Sequence, residues 1–374
     1  VKVVFTCGGT GGHINPAIAV AKLLRERKPD CDVLFVGADD GMETELVPRE
    51  GFRIETVRIS NYLRSLKPTA LAHNVKAVFV LRQALRRANQ IIREFQPDVI
   101  LGTGGYASYP MLRQGVKNGI PTALHEANAV PGLATKLVCD QVDKILVSFA
   151  ESKSQYKNAD RVIAVGMPVR EEFVYTKRAD ARKALGLDDK PLVVSAWGSL
   201  GAREMNKKIA QFMKLECAEE PFHHIHATGS FGWRWMPDYV KHLGVDLAAH
   251  PLVQMREYIY DMPTVMAAAD VFISRAGSST LNEIAAAGTP SIIVPSPNVT
   301  NNHQEKNARI LERRGAAIVI RESDCDGETL YRATKELLAD PERRRRMRSA
   351  LRDVAVIDSA ERIYQILLEL AKAR

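Results

Sequence analysis

Residues 274–307 bring hydroxyls, carboxamides, Glu283 and His303 together in an order that suits a phosphate and a ribose. The stretch follows an apolar run at 269–273 and turns through Ala276-Gly277-Ser278-Ser279. It then enters an Ala-rich helix that stops at Gly288 and continues into a second strand at 291–294. A glycine and small hydroxyls at a helix start leave backbone N–H groups pointing at open space, where the helix dipole also favours negative charge. Glu283, about one helical turn further in, can accept hydrogen bonds from two adjacent hydroxyls such as a ribose diol. Thr280-Leu281-Asn282-Glu283 is equally a capping box, which needs no ligand.

A second anion-binding geometry opens the chain. An apolar run at 3–6 leads into Cys7-Gly8-Gly9-Thr10-Gly11-Gly12-His13-Ile14-Asn15. Asn15 is the expected N-cap and Pro16 the expected first position of a helix reaching Arg27. The pattern is not a dinucleotide fingerprint, which demands glycine at Ile14, nor a Walker A loop, which needs Lys-Ser/Thr after the last glycine. A helix N-terminus disfavours added positive charge and keeps the His13 imidazole neutral, able to accept a proton, while a nearby diphosphate pushes the other way. The alternative is a histidine that only lines the turn.

These residues need strands to deliver them, and the sequence supplies strands throughout. A strand at 97–101 leads to Gly102-Thr103-Gly104-Gly105-Tyr106-Ala107-Ser108, and one at 121–124 to His125-Glu126-Ala127-Asn128 and on to Gly132. Further strands are expected at 32–37, 144–148 and 162–165. Polar clusters at the carboxyl ends of strands are where open α/β sheets hold ligands. Gly166-Met167-Pro168-Val169-Arg170 breaks the pattern and marks a domain boundary. The second half repeats it, with 192–196 running into Trp197-Gly198-Ser199-Leu200-Gly201-Ala202-Arg203 and a strand at 253–259 before Asp261-Met262-Pro263. His223-His224-Ile225-His226 is not read as a metal site. Alternation puts His223 opposite the other two, and no carboxylate or cysteine partner is close in sequence.

A chain of 374 residues, 46% hydrophobic and 26% charged, is long enough for two domains with separate cores. No run approaches the roughly 18 to 20 apolar residues needed to span a bilayer, and the apolar start ending in glycines reads as a strand rather than a signal peptide, so a cytosolic location is expected. Five scattered cysteines suggest reduced thiols, and the net charge of +8 favours anionic lipid or a phosphate-bearing substrate. Residues 58–93 contain no Asp or Glu but carry Arg58, Arg64, Lys67, Lys76, Arg82, Arg86, Arg87 and Arg93 among Leu63, Leu66, Leu71, Val75 and Phe79. Such a segment can lie on an anionic bilayer at about 1 kcal/mol per basic residue near the surface, or be a solvated helix face. Nucleic acid is disfavoured, because no recognition module accompanies the charge. The Arg343-Arg344-Arg345-Arg346 run reads as a solvated face, and the final helix, 359–371, as amphipathic through Ile363, Ile366, Leu367 and Leu370.

Taken together, G-G-T-G-G-H-I-N-P-A, G-T-G-G-Y-A-S, H-E-A-N-A-V-P-G-L, G-M-P-V-R, G-S-L-G-A-R, S-R-A-G-S-S-T-L-N-E and H-Q-E-K-N-A, in this order along nearly the whole chain, resemble the MurG family of bacterial cell-wall glycosyltransferases. Departures are Ala127 for the usual Gln, Met167 for Asn, and Trp197-Gly198-Ser199-Leu200 for G-G-S-Q. The resemblance implies an α/β GT-B fold, two Rossmann-like domains with parallel sheets facing across a cleft. Residues 1–167 would bind acceptor and membrane, 168–356 would bind the UDP-sugar, and a final helix, 357–374, would pack back on the first domain. It implies transfer of N-acetylglucosamine from UDP-N-acetylglucosamine to undecaprenyl-diphospho-muramoyl-pentapeptide, with inversion, at the cytoplasmic face of the membrane, without cofactor or metal.

Residue by residue, the resemblance implies that Ile259 meets the uracil through its backbone beside Met262, that Arg170 lies near the nucleotide and that Glu283 holds the ribose. Ser199, Gly201, Arg203, Ser279 and Thr280 would lie along the diphosphate, and His303, Gln304 and Asn307 would bind the sugar. Thr10, Gly11, Gly12 and Asn128 would also face the donor, while Gly8, Gly9, Gly104, Gly105 and Tyr106 would take the acceptor's diphosphate. His13 would be the base, with Glu126 orienting it or acting as base itself. A diacylglycerol glycosyltransferase, a nicotinamide-dependent oxidoreductase and a non-catalytic sugar-nucleotide binder are the competing readings.

Overall fold

The computed structural model describes residues 1–60 and 68–373, with side chains from residue 77 onward in the helix Pro68–Phe95. Leu63, Arg64, Leu66 and Lys67 of the basic segment therefore lie outside the described residues, as do the side chains of Leu71, Val75 and Lys76. The chain divides into two compact units, Val1–Val169 with Val356–Arg374, and Arg170–Ala355.

Unit 1 is built on seven parallel strands: β1 (Lys2–Cys7), β2 (Asp32–Ala38), β3 (Arg53–Val57), β4 (Val99–Gly104), β5 (Thr122–Glu126), β6 (Lys144–Val147) and β7 (Val162–Ala164), in the order β3-β2-β1-β4-β5-β6-β7. Phe5 of β1 sits in register with Phe35 of β2 and Leu101 of β4. A parallel sheet is covered on both faces, so its central strands read as continuous apolar runs. Val3 and Phe5 meet the helix Gly11–Arg27 through Ile14, Ala17 and Leu24 on one face. Val4 and Ile100 meet Ala88, Ile91 and Met111 on the other. The last helix, Ser359–Lys372, buries Ile363, Tyr364 and Leu367 in the first of these layers.

Two strands lie outside the sequence expectation, each for an edge-strand reason. β3 alternates exposed Arg53 and Glu55 with half-buried Ile54, so it lacks an apolar run. In unit 2 the edge strand β13 (Ile318–Val319) is two residues long. Unit 2 otherwise holds β8 (Leu192–Ala196), β9 (His223–Ala227), β10 (Val253–Arg256), β11 (Val271–Ser274) and β12 (Ser291–Ile293), in the parallel order β10-β9-β8-β11-β12-β13. In each sheet the order reverses at one place, between β1 and β4 in unit 1 and between β8 and β11 in unit 2. The crevice beyond the carboxyl ends of those strands is where doubly wound sheets take their ligands.

Candidate active site

In unit 1 the turns after β1 and β4 meet backbone to backbone. Gly105 has φ +85°, and a Cβ there would overlap the Gly8 carbonyl oxygen, so only glycine allows the approach. The Ser108 hydroxyl ties the two turns by donating to Thr6 O (2.9 Å) and Gly104 O (2.7 Å). The helix after β1 starts at Gly11, with Thr10 as N-cap, five residues before the expected Pro16. The N–H groups of His13 and Ile14 already bond to Thr10 O at 3.0 and 3.2 Å, which closes the first turn. Pro16 is tolerated within it, leaving the Gly12 carbonyl without its usual helical donor.

His13 thus belongs to the helix's first turn. Its Nδ1 lies 3.0 Å from the Gly8 carbonyl, and its own carbonyl accepts from the Thr103 hydroxyl at 2.6 Å. A carbonyl oxygen can only accept, so Nδ1 carries the hydrogen and the lone pair sits on Nε2. Gly104, at φ +115°, leaves room for the ring, since a Cβ would come within 2.9 Å of Nε2. Thr10 is exposed, with its hydroxyl 3.5 Å from Nδ1, and Tyr106 is 43% exposed at the rim.

Glu126 ends β5 and is buried. Its Oε1 accepts from the backbone (3.1 Å) and side-chain (3.4 Å) N–H of Asn128. Its Oε2 accepts from Gly132 N–H (3.0 Å) and the Thr135 hydroxyl (2.7 Å). The carboxylate therefore organises its own loop, and among the described residues it makes no bond to His13. The adjoining His125 is enclosed, with Nε2 on Gly166 O at 2.8 Å, and burial holds it below the usual histidine range.

In unit 2 the helix after β11 begins at Ser278, with Gly277 as N-cap. This excludes the capping box: Thr280 is the third helical residue, not the cap, and Glu283 is the sixth. Glu283 makes no hydrogen bond among the described residues. Desolvation raises its carboxyl to about 7, with Arg170 opposing the rise. Arg170 itself is exposed and stacks on Phe173 at 5.2 Å. Ser279 and Thr280 are half-buried at the helix start.

The carboxamides behind this turn hold it in shape. Gln304 Oε1 accepts from Ala276 N–H (3.2 Å) and Ser296 N–H (2.9 Å), and Asn307 Nδ2 donates to Ala276 O (3.2 Å). Asn307 has no exposed surface, so in this conformation a sugar cannot reach it, contrary to the expected contact. His303 starts the next helix with Nδ1 on Thr300 O at 2.9 Å, which leaves Nε2 as an acceptor. Ile259 is buried between exposed Tyr258 and Tyr260, and Met262 opens the helix Met262–Ala268 half-buried.

The loop after β8 backs onto the loop after β9. Gly201 (φ +78°) and Gly229 (φ +74°) pack so closely that a Cβ on Gly201 would overlap Thr228 O. Ser230 N–H donates to Ser199 O at 3.1 Å, leaving the Ser199 side chain exposed. Arg203 rests on the Trp235 ring at 5.4 Å. Beneath this loop is a group that sequence reasoning missed. The Ser195 hydroxyl bridges His224 Nε2 (2.8 Å) and His226 Nδ1 (2.7 Å), and His224 Nδ1 meets Glu216 Oε1 at 2.7 Å. The order mimics a hydrolase triad, but all four residues are at most 1% exposed, so no substrate reaches them. The periodicity of helix Arg203–Glu219, which puts Glu216 on its buried side, was the available signal.

Residues 3–147 match the glycosyltransferase family 28 N-terminal domain, and residues 192–363 match the glycosyltransferase family 28 C-terminal domain. The chain belongs to glycosyltransferase family 28. Its relatives agree with that assignment. A UDP-N-acetylglucosamine–N-acetylmuramyl-(pentapeptide) pyrophosphoryl-undecaprenol N-acetylglucosamine transferase of Acetivibrio thermocellus is 39% identical over 373 residues, covering 100% of this chain and 99% of the relative. The transferase of the same name in a Thermoanaerobacter species is 41% identical over 368 residues, covering 98% and 99%. Among solved structures, that of Acinetobacter baumannii MurG matches with a TM-score of 0.75 at 26% identity, over 98% of this chain and 99% of that one. A UDP-GlcNAc 2-epimerase from Neisseria meningitidis, at 14% identity and a TM-score of 0.66, covers 99% and 100% and shares the fold alone.

Proposed function

We propose that this family 28 enzyme transfers N-acetylglucosamine from UDP-N-acetylglucosamine to the C4 hydroxyl of the muramoyl sugar of undecaprenyl-diphospho-muramoyl-pentapeptide, with inversion, in peptidoglycan synthesis. The observation that carries this is identity of 39–41% along essentially the full length of transferases named for that reaction. Unit 2 holds the donor: the helix start at Ser278 and Ser279 faces the diphosphate, Glu283 takes the ribose, Ile259 the uracil, and His303 with Gln304 the sugar. Asn307 supports them from beneath. Unit 1 holds the acceptor at the turns after β1 and β4.

The sugar hydroxyl must lose a proton as it attacks the anomeric carbon. His13 is the base: the Gly8 carbonyl fixes its hydrogen on Nδ1 and leaves Nε2 to accept. General-base assistance contributes typically 10²- to 10⁴-fold. Glu126 is less suited, because both its oxygens are engaged by its own loop. Helix-terminal N–H groups and Arg203, once released from Trp235, stabilise the departing UDP.

The membrane face is the helix Pro68–Phe95. Val78, Phe79 and Leu81 are exposed beside Arg82, whose guanidinium lies 6.0 Å from the Phe79 ring. Apolar side chains flanked by arginines suit the boundary between headgroups and acyl chains. No helix of the described residues is long and apolar enough to cross a membrane.

The deciding measurement is UDP release from UDP-N-acetylglucosamine in EDTA, with and without a short-chain analogue of the lipid-linked acceptor. Strong acceptor-dependent release is expected. Release that ignores the acceptor, or none from folded protein that binds UDP, would refute the assignment. A second arm adds vesicles: sedimentation with anionic but not neutral vesicles, lost in a Val78→Ser/Phe79→Ser variant, is the outcome the membrane reading requires.

A further inference from the structure

Glu43, the first residue of helix Glu43–Arg49, has no exposed surface. Glycines make its chamber: a Cβ on Gly8 would lie 2.6 Å from its Oε1, and one on Gly37 or Gly41 would overlap its side chain. Oε1 accepts from Ala38 N–H at 2.7 Å, at the end of β2, and Oε2 accepts from Gly9 N–H at 3.3 Å. The N–H of Gly9 and the C=O of Gly8 belong to a single planar peptide group. The carbonyl end of that group is the one that faces His13 Nδ1 at 3.0 Å.

We propose that Glu43 is a positioning residue for His13, acting through the Gly8–Gly9 peptide. The carboxylate fixes the plane of the peptide, so the Gly8 carbonyl points at the imidazole and keeps its hydrogen on Nδ1. It also polarises the peptide. An anion bonded to the N–H shifts electron density toward the oxygen, and hydrogen bonds linked through a shared group strengthen one another. The carbonyl then better stabilises the imidazolium formed when Nε2 takes the acceptor's proton. The arrangement is a carboxylate–histidine pair with one peptide group inserted between the partners.

The neighbouring titratable groups do not substitute for it. The Cys7 thiol is pushed up by burial and then by Glu43, and stays neutral. His125 is held neutral by burial, and Glu126 is engaged by its own loop. The inference rests on His13 being the base, and the test separates the two.

Glu43→Gln retains size and an acceptor oxygen but removes the charge. The expected result is a fall in kcat of about ten- to a hundredfold, the range for outer partners that orient a histidine ligand. KM for UDP-N-acetylglucosamine should be unchanged, and the acid limb of the kcat/KM profile should move to lower pH because the imidazolium has lost a stabilising anion. Nitrogen-15 spectra of His13 should show a pure Nδ1–H tautomer in the parent protein and a mixture in the variant. An unchanged pH profile with unchanged His13 spectra overturns the proposal. If His13→Ala retains full turnover while the spectra change as expected, the base assignment fails and the positioning role stands. If Glu43→Gln does not fold, the parent spectrum decides: an Nε2–H His13 refutes the proposal and an Nδ1–H His13 supports it.

Discussion

Replacing Glu283 with glutamine tests the donor site through protons. Desolvation lifts this carboxyl from its ordinary 4.5 to about 7, which corresponds to on the order of 3 kcal/mol of disfavoured ionisation. Because the folded value is raised, the associated stability is fully present below about pH 4.5 and is lost as pH rises through 7. Glu283→Gln should therefore match the parent in urea unfolding at about pH 4.5 and exceed it by up to about 3 kcal/mol at pH 8. Binding should run the other way. An ionised carboxylate accepts from both ribose hydroxyls, whereas a protonated one keeps a hydrogen of its own. UDP-N-acetylglucosamine, whose phosphodiesters do not titrate in this range, should bind roughly tenfold tighter at pH 8 than at pH 6, with proton release below pH 7. Calorimetry in two buffers of different ionisation enthalpy counts those protons. Affinity flat from pH 6 to 8, with no proton released, would refute the reasoning; so would a glutamine variant that kept the parent's slope.

Other expectations follow from the same geometry. His13→Ala should lose about 10²- to 10⁴-fold in turnover and keep donor affinity, measured by single-turnover kinetics and calorimetry. Burial holds His125 below the usual histidine value of 6.5 and His226 well below it. Below pH 6.5 the unfolded chain takes up protons that the folded one refuses, so stability should fall by up to about 1.4 kcal/mol per pH unit for each. Urea midpoints in the Glu283→Gln background, where the opposing group is absent, should show this, and His226→Gln should reduce the slope. Gly105→Ala should cost about 1–3 kcal/mol and impair kcat by displacing the Gly8 carbonyl. Gly119→Ala, also at positive φ but with open space around it, should cost about 1 kcal/mol in thermal unfolding and leave kcat alone.

The central strands and their glycine turns were legible because a buried parallel strand ending in glycine is an unmistakable local pattern. β3 was not, since Arg53 and Glu55 interrupt its apolar run at the sheet edge. The start of the first helix was misplaced because proline favours a helix's first position, whereas here the Thr10 carbonyl had already closed a turn. Glu283 looked like a capping partner until Gly277 proved to be the cap. Glu43 was invisible for a deeper reason. Its partners are backbone N–H groups of Gly9 and Ala38, and its space is defined by glycines far apart in sequence. Asn307 carries the same lesson, since a polar residue in a binding motif can serve by holding the backbone that binds.

The helix Ser359–Lys372 makes the two units unequally sensitive to truncation. Unit 2 is one uninterrupted span that ends at Ala355, whereas unit 1 draws part of one layer from residues beyond it. A chain cut after residue 355 would leave Val20, Leu24 and their neighbours without Ile363, Tyr364 and Leu367. Burying those three is worth about 1.5–3 kcal/mol apiece. Such a cut would strip cover from the unit that carries His13 and leave the unit that carries Glu283 with all its residues.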